Sequence, residues 1–177
     1  DPHLWSGQPL AGQTQPGPLY PLNLLLCLLP LREGYLRLQY LNWYYVLVHF
    51  QAALFCYWLA RDLGRSRGAS VAAGCVFSFG GFLGTVPWPD VMNSAVWTPV
   101  VALFLLRAVR GERPAASAAL GGLALGAAWL CGHHEIPMLV SWVAAASWLF
   151  YAARRGRRVL LAGAVFLLGA GLTSAVQ

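Results

Sequence analysis

The chain contains no lysine. All twelve of its basic residues are arginine, and they face only six acidic residues. Charge of either sign is scarce: charged residues make up 10 % of the chain and hydrophobic residues 58 %. A soluble domain carries about 25 % charged residues, so this composition excludes an ordinary water-soluble globule and points to lipid as the solvent. No Cys-x-x-Cys pair is present. Cys27, Cys56, Cys75 and Cys131 each stand alone in an apolar run, which reads as small buried thiols rather than a disulfide framework or a zinc site. No repeat with a period of roughly 20–50 residues appears. Also missing are a GxSxG elbow, a P-loop and a dinucleotide GxGxxG. Ser78-Phe79-Gly80 lacks the GxSx arrangement and the helix-paired histidine that an intramembrane serine protease needs. The chain begins Asp1-Pro2-His3 with neither an initiator methionine nor a signal peptide, and it ends at Gln177 within an apolar run. It is expected to be part of a longer protein.

What is present is a strict alternation. Ten arginines fall into three clusters, Arg61/Arg65/Arg67, Arg107/Arg110/Arg113 and Arg154/Arg155/Arg157/Arg158. The turns between them, residues 86–93 and 132–137, contain none. This is the positive-inside pattern of a polytopic membrane protein. The arginine turns are expected in the cytoplasm, and the N-terminal segment and arginine-free turns outside. The net charge of +6 suggests nucleic acid at first sight. Its confinement to loop ends beside apolar runs fits anionic lipid headgroups instead.

Six apolar runs, 38–60, 69–85, 91–106, 115–131, 136–153 and 159–176, approach the roughly 17–25 residues of a spanning helix. The expected fold is therefore all-α: a polytopic transmembrane bundle of about six helices over 38–177, preceded by an extracytoplasmic loop over 1–37. Five prolines, from Pro2 to Pro21, prevent a continuous helix in that loop. Residues 22–29 are apolar but too short to cross, and predict an interfacial or re-entrant helix between Pro21 and Pro30. Trp43, Tyr44, Tyr45, Trp88 and Trp97 fit an aromatic belt at the outer headgroups better than sugar-stacking platforms. Gly80-Gly81-x-x-Gly84, Gly121-Gly122-x-x-x-Gly126 and the small residues from Gly163 to Gly171 predict close helix contacts. His49 is the one ionisable group in the apolar cores besides thiols and tyrosines.

Polar chemistry collects in three outer stretches: the Asp1–His3 and Gln13/Gln15 region, Trp88-Pro89-Asp90 with Asn93 and Ser94, and Gly132-His133-His134-Glu135. Adjacent histidines diverge on a helix, so the third stretch is not the i, i+4 spacing of HExxH. Three readings stand side by side. One is a metal site completed by Asp90, which would hold a divalent cation. Another is a polar cavity lining for an anionic or hydroxylated substrate. The last is residues that merely solvate a tight turn.

The N-terminal pattern, Leu4-Trp5-Ser6-Gly7-Gln8-Pro9 followed by Gln13-Thr14-Gln15-Pro16-Gly17-Pro18-Leu19-Tyr20-Pro21-Leu22-Asn23, resembles the extracytoplasmic loop of the bacterial YfhO-like membrane proteins. These belong to the GT-C class of polyprenyl-phosphate-sugar glycosyltransferases. Phe77-Ser78-Phe79-Gly80-Gly81-Phe82, Trp97-Thr98-Pro99, Gly132-His133 and Thr173-Ser174-Ala175-Val176-Gln177 continue the resemblance in order. His134-Glu135 departs from the family's usual Pro-Gln, and Pro87-Trp88-Pro89-Asp90 replaces a Gly-His pair.

The resemblance implies a bacterial inner-membrane protein that transfers a sugar from a polyprenyl-phosphate carrier to a cell-envelope glycan acceptor. Gln13, Gln15, Tyr20, Asn23, Asp90, His133, His134 and Glu135 are the implied substrate-binding residues. Arg32 and Arg37, with the two histidines, are candidates to stabilise the leaving phosphate. The catalytic carboxylate is expected upstream of Asp1. A non-catalytic membrane module, such as a transporter subunit or scaffold, is the competing class. The shortage of mid-bilayer charge argues against a transporter.

Overall fold

The computed structural model describes residues 17–32 and 34–175. Eight α-helices and no strand are found among them: α1 Pro21–Cys27, α2 Leu38–Asp62, α3 Arg67–Phe79, α4 Pro89–Ala95, α5 Thr98–Arg110, α6 Pro114–Leu130, α7 Glu135–Arg155 and α8 Arg157–Ser174. The all-α expectation holds. Each of the six apolar runs carries helix, and α1 lies where a short helix between prolines was read. The segments Pro89–Arg110, Glu135–Arg155 and Arg157–Ser174 are long and apolar enough to cross a membrane. Helix α6 is apolar and, at 17 residues, one residue shorter than α8.

Local chemistry sets the helix ends. Helices α2 and α5 finish in the same motif. Gly64 and Gly111 take left-handed φ of 77° and 90°. The following amides, Arg65 N–H and Glu112 N–H, reach back to the Ala60 and Arg107 carbonyls at 3.0 Å. Carbonyls that would otherwise be orphaned are thereby satisfied. Arg61, Arg107 and Arg110 lie in those last turns, where the negative end of the helix dipole favours cations.

Two boundaries differ from the sequence reading. The second run was taken as helical to residue 85, but α3 stops at Phe79. Gly80 leaves the helix with ψ 167°, and residues 80–86 turn instead, with Gly84 N–H bonded to Gly80 O at 2.8 Å. The third run is interrupted at Val96 and Trp97. Pro99 has no N–H to return to the Ala95 carbonyl, so the ladder lapses there and resumes in α5.

Helix α6 is the centre of the bundle, because its small residues let neighbours come close. A β-carbon on Gly121 would meet the Phe166 ring at 3.0 Å, and one on Gly126 would meet Thr173 Cβ at 2.5 Å. Helix α8 therefore packs backbone to backbone on α6. Around that seam Val100, Val101, Leu105, Leu125, Trp148 and Phe166 form the main core. Helix α3 approaches α2 in the same way, at Gly74 over the Ala53 carbonyl.

The outward faces are the reverse of a soluble protein's. Trp142, Val143 and Leu149 on α7, and Leu161, Leu167 and Leu172 on α8, are all exposed. Continuous apolar surface of this extent is rare on soluble monomers. Of the four cysteines read as buried thiols, only Cys131 is buried. Cys27 and Cys75 face outward on the same apolar surfaces.

Candidate functional site around α1

Residues from four elements meet where the chain enters α1. Pro21 occupies the first turn of α1, which suits its fixed φ and missing N–H. Just before it, Gly17 has φ +56° and lies against the backbone of Cys131, whose carbonyl oxygen would be 2.5 Å from an added β-carbon. Only glycine fits this approach. Tyr20 is 1 % exposed and packs on Leu130 and Cys131. Its hydroxyl accepts from Trp97 Nε1 at 3.2 Å. Burial pushes the Tyr20 phenol above its ordinary pKa.

Asn23 continues the clasp. Its amide donates to the Gly17 carbonyl at 2.9 Å, and its Oδ1 accepts from the Tyr44 hydroxyl at 2.7 Å. Tyr44 accepts in turn from Asn93 Nδ2. Asn93 is fully buried on α4, and its Oδ1 has no hydrogen-bond partner. Ser94 donates to the Ala128 carbonyl at 3.1 Å and to the His133 carbonyl at 3.4 Å. One polar chain therefore joins the N-terminal segment to α2 and α4, and Ser94 ties α4 to the α6–α7 turn.

This geometry revises the reading of Tyr20 and Asn23. Both were expected to touch substrate, but Tyr20 is an internal strut and Asn23 spends its amide on the clasp. Gln13 and Gln15 lie outside the described residues. Tyr44 and Trp97, read as belt aromatics, are partners in the clasp. Asn93 had no signal beyond its place in a polar stretch.

Asp90, in the first turn of α4, and Glu135, in the first turn of α7, place carboxylates at helix N-termini, where the dipole favours them. His133 is 17 % exposed and its Nε2 is 3.8 Å from Glu135 Oε2, while Glu135 is 83 % exposed. His134 is exposed, with its ring centroid 6.1 Å from that of Trp129. No group of three or more His, Cys, Asp or Glu residues is assembled for a metal ion among the described residues. His133 and Glu135 approach each other, but Asp90 does not join them in such a group. Glu135 begins a helix and points outward, whereas the preceding turn tucks His133 inward.

Two clefts lie at the start of α2, one lined in part by Tyr40 and the other by its chain neighbour Gln39. One, of about 260 Å³, is an apolar groove between α1 and α2, lined by Leu22, Leu25, Leu26, Leu29, Tyr40, Trp43, Tyr44 and Leu47. The other, of about 560 Å³, is lined by Arg32, Tyr35, Leu36, Arg37, Leu38 and Gln39. A small bend closed by paired Arg32–Tyr35 backbone bonds of 2.9 and 3.0 Å shapes it. One cleft at this end is apolar, and the other carries two guanidinium-bearing residues.

Away from this end, Ser78 does have a histidine partner on a neighbouring helix, contrary to the sequence reading. His49 Nδ1 lies 2.9 Å from the Ser78 carbonyl and 3.4 Å from Ser78 Oγ. The hydroxyl donates to the His49 carbonyl at 2.7 Å and is fully buried, so the pair clamps α2 to α3 and offers no nucleophile. Comparison with protein-family models, with curated proteins and with solved structures finds no match to this chain.

Proposed function

We propose that this chain is an integral membrane bundle of six crossing segments, α2, α3 with its following turn, α4–α5, α6, α7 and α8. The end that holds α1 and the α6–α7 turn is extracytoplasmic and receives a lipid-linked sugar phosphate. The observation that carries this reading is the pair of clefts at the start of α2, one apolar and one lined by two arginines. A prenyl chain suits the leucine- and aromatic-lined groove between α1 and α2. A phosphate suits the other cleft with Arg32 and Arg37, since guanidinium donors match phosphate oxygens in charge and geometry. The resemblance to YfhO-like proteins supplies the reaction class. In the full-length bacterial inner-membrane protein, a carboxylate upstream of Asp1 takes the proton of an acceptor glycan's hydroxyl. That oxygen attacks the anomeric carbon, and the polyprenyl phosphate leaves with the bonding electrons. Arg37 stabilises the leaving phosphate. Asp90, His133, His134 and Glu135 line the acceptor side.

A non-catalytic membrane module is the second reading. It is favoured by the mutual satisfaction of Tyr20, Asn23, Tyr44 and Asn93, which turns much of this end into a structural clasp.

The test is sugar transfer from a polyprenyl-phosphate donor, measured in membranes carrying the full-length protein. Arg37→Gln should raise KM for the lipid donor at least about tenfold, the loss of one charge-assisted hydrogen bond. His133→Ala and Asp90→Asn should lower transfer while the protein stays folded. Arg158→Gln, at the other end, should leave transfer unchanged. Full transfer in Arg37→Gln, His133→Ala and Asp90→Asn alike would reject the glycosyltransferase reading in favour of the non-catalytic one.

A further inference from the structure

The largest of the described clefts lies at the opposite, arginine-bearing end. It occupies about 590 Å³ between the last turns of α2 and α5, lined by Tyr57, Trp58, Arg61, Asp62, Leu103, Phe104 and Arg107. The charge around it is organised. Asp62 is only 7 % exposed and accepts from Arg107 Nε at 2.6 Å and from an η nitrogen of Arg110 at 2.7 Å. Arg61 is held from the other side, donating to the Arg65 carbonyl at 2.5 Å. Arg61 and Arg107 line the cleft with Asp62, and Arg110 joins Arg107 on that carboxylate, so three positive charges are set against one negative, an excess of two. Asp62 fixes where Arg107 and Arg110 stand without neutralising them both. On the same wall the Phe104 ring centroid is 6.0 Å from the Arg107 guanidinium carbon, and Trp58 is 45 % exposed.

We propose that this cleft is a discrete site for an anionic phospholipid, with the phosphate at Arg61 and Arg107 and an acyl chain along Trp58 and Phe104. Two features choose a lipid over a soluble anion. The cleft has an aromatic wall, and α2 carries a further exposed aromatic ring at Phe50. Basic pockets between membrane helices are recognised sites for anionic headgroups. The aromatic wall adds the amphipathic surface such a lipid needs at the boundary between chain and headgroup.

Native mass spectrometry of the purified full chain in a neutral detergent tests the assignment. Phosphatidylglycerol should be retained as one molecule per chain, in preference to phosphatidylcholine. Arg61→Gln leaves the Asp62 pairs intact and should weaken that retention about fivefold, the effect of one arginine near an anionic membrane surface. Arg158→Gln, which removes the same charge elsewhere, should not. Equal retention of the two lipids would overturn the proposal, as would equal loss in both variants. Binding of inorganic phosphate without retention of phosphatidylglycerol would overturn it in favour of a soluble anion.

Discussion

Single hydroxyl groups decide whether the N-terminal segment stays docked. The Tyr44 hydroxyl donates to Asn23 and accepts from Asn93, so it bridges the amides of α1 and α4. Tyr44→Phe removes the bridge and leaves Asn93, fully buried, with both polar atoms unpaired. Thermal unfolding in detergent should show a loss of about 1–3 kcal/mol, the cost of stranding a buried polar group. Tyr20 sets a pH limit. Its phenol titrates higher in the folded chain than its ordinary value near 10. The stability it contributes is fully present below that value and drains away as pH rises beyond it towards the folded pKa. Melting temperature should fall above about pH 10, and Tyr20→Phe should flatten that fall. These roles were illegible in the sequence for a physical reason. Trp97 and Tyr44 are aromatic residues near the ends of apolar runs, which is also what an interfacial belt looks like. The partner that separates the two readings lies 77 residues away for Trp97 and 21 for Tyr44.

At the scale of helices, apolar run length and arginine punctuation were sufficient to find every long element. Gly80-Gly81 was read as a contact surface but terminates α3, and Pro99 divides one expected helix into α4 and α5. In each case the residues were noticed and the ambiguity lay in their use, since glycine serves both close packing and helix exit. The contact reading was right in α6. Gly126→Leu must push α8 away, because Thr173 Cβ is 2.5 Å from the position of an added β-carbon. Overpacking of this kind costs about 1–3 kcal/mol. Gly171→Leu on α8, where nothing lies within 4 Å, should be nearly neutral. A melting-temperature comparison of the two variants checks the seam, and equal losses would show that α6 and α8 are not joined there.

The whole molecule has two chemically distinct ends. One is closed by the clasp and opens into clefts beside Arg32 and Arg37. The other carries the three arginine clusters and the Asp62 cleft. The proposed functions depend on which end faces which side of the membrane, and the alternation of arginine predicts that orientation. Tyr35 and Glu112 are exposed at opposite ends, so each suits a single introduced cysteine. Cys27, Cys56, Cys75 and Cys131 would first be replaced, because the outward-facing thiols at Cys27 and Cys75 would otherwise react. A membrane-impermeant thiol reagent applied to intact cells should then label Tyr35→Cys, and should label Glu112→Cys only after permeabilisation. Labelling of Glu112→Cys from outside intact cells, with Tyr35→Cys protected, would contradict the account.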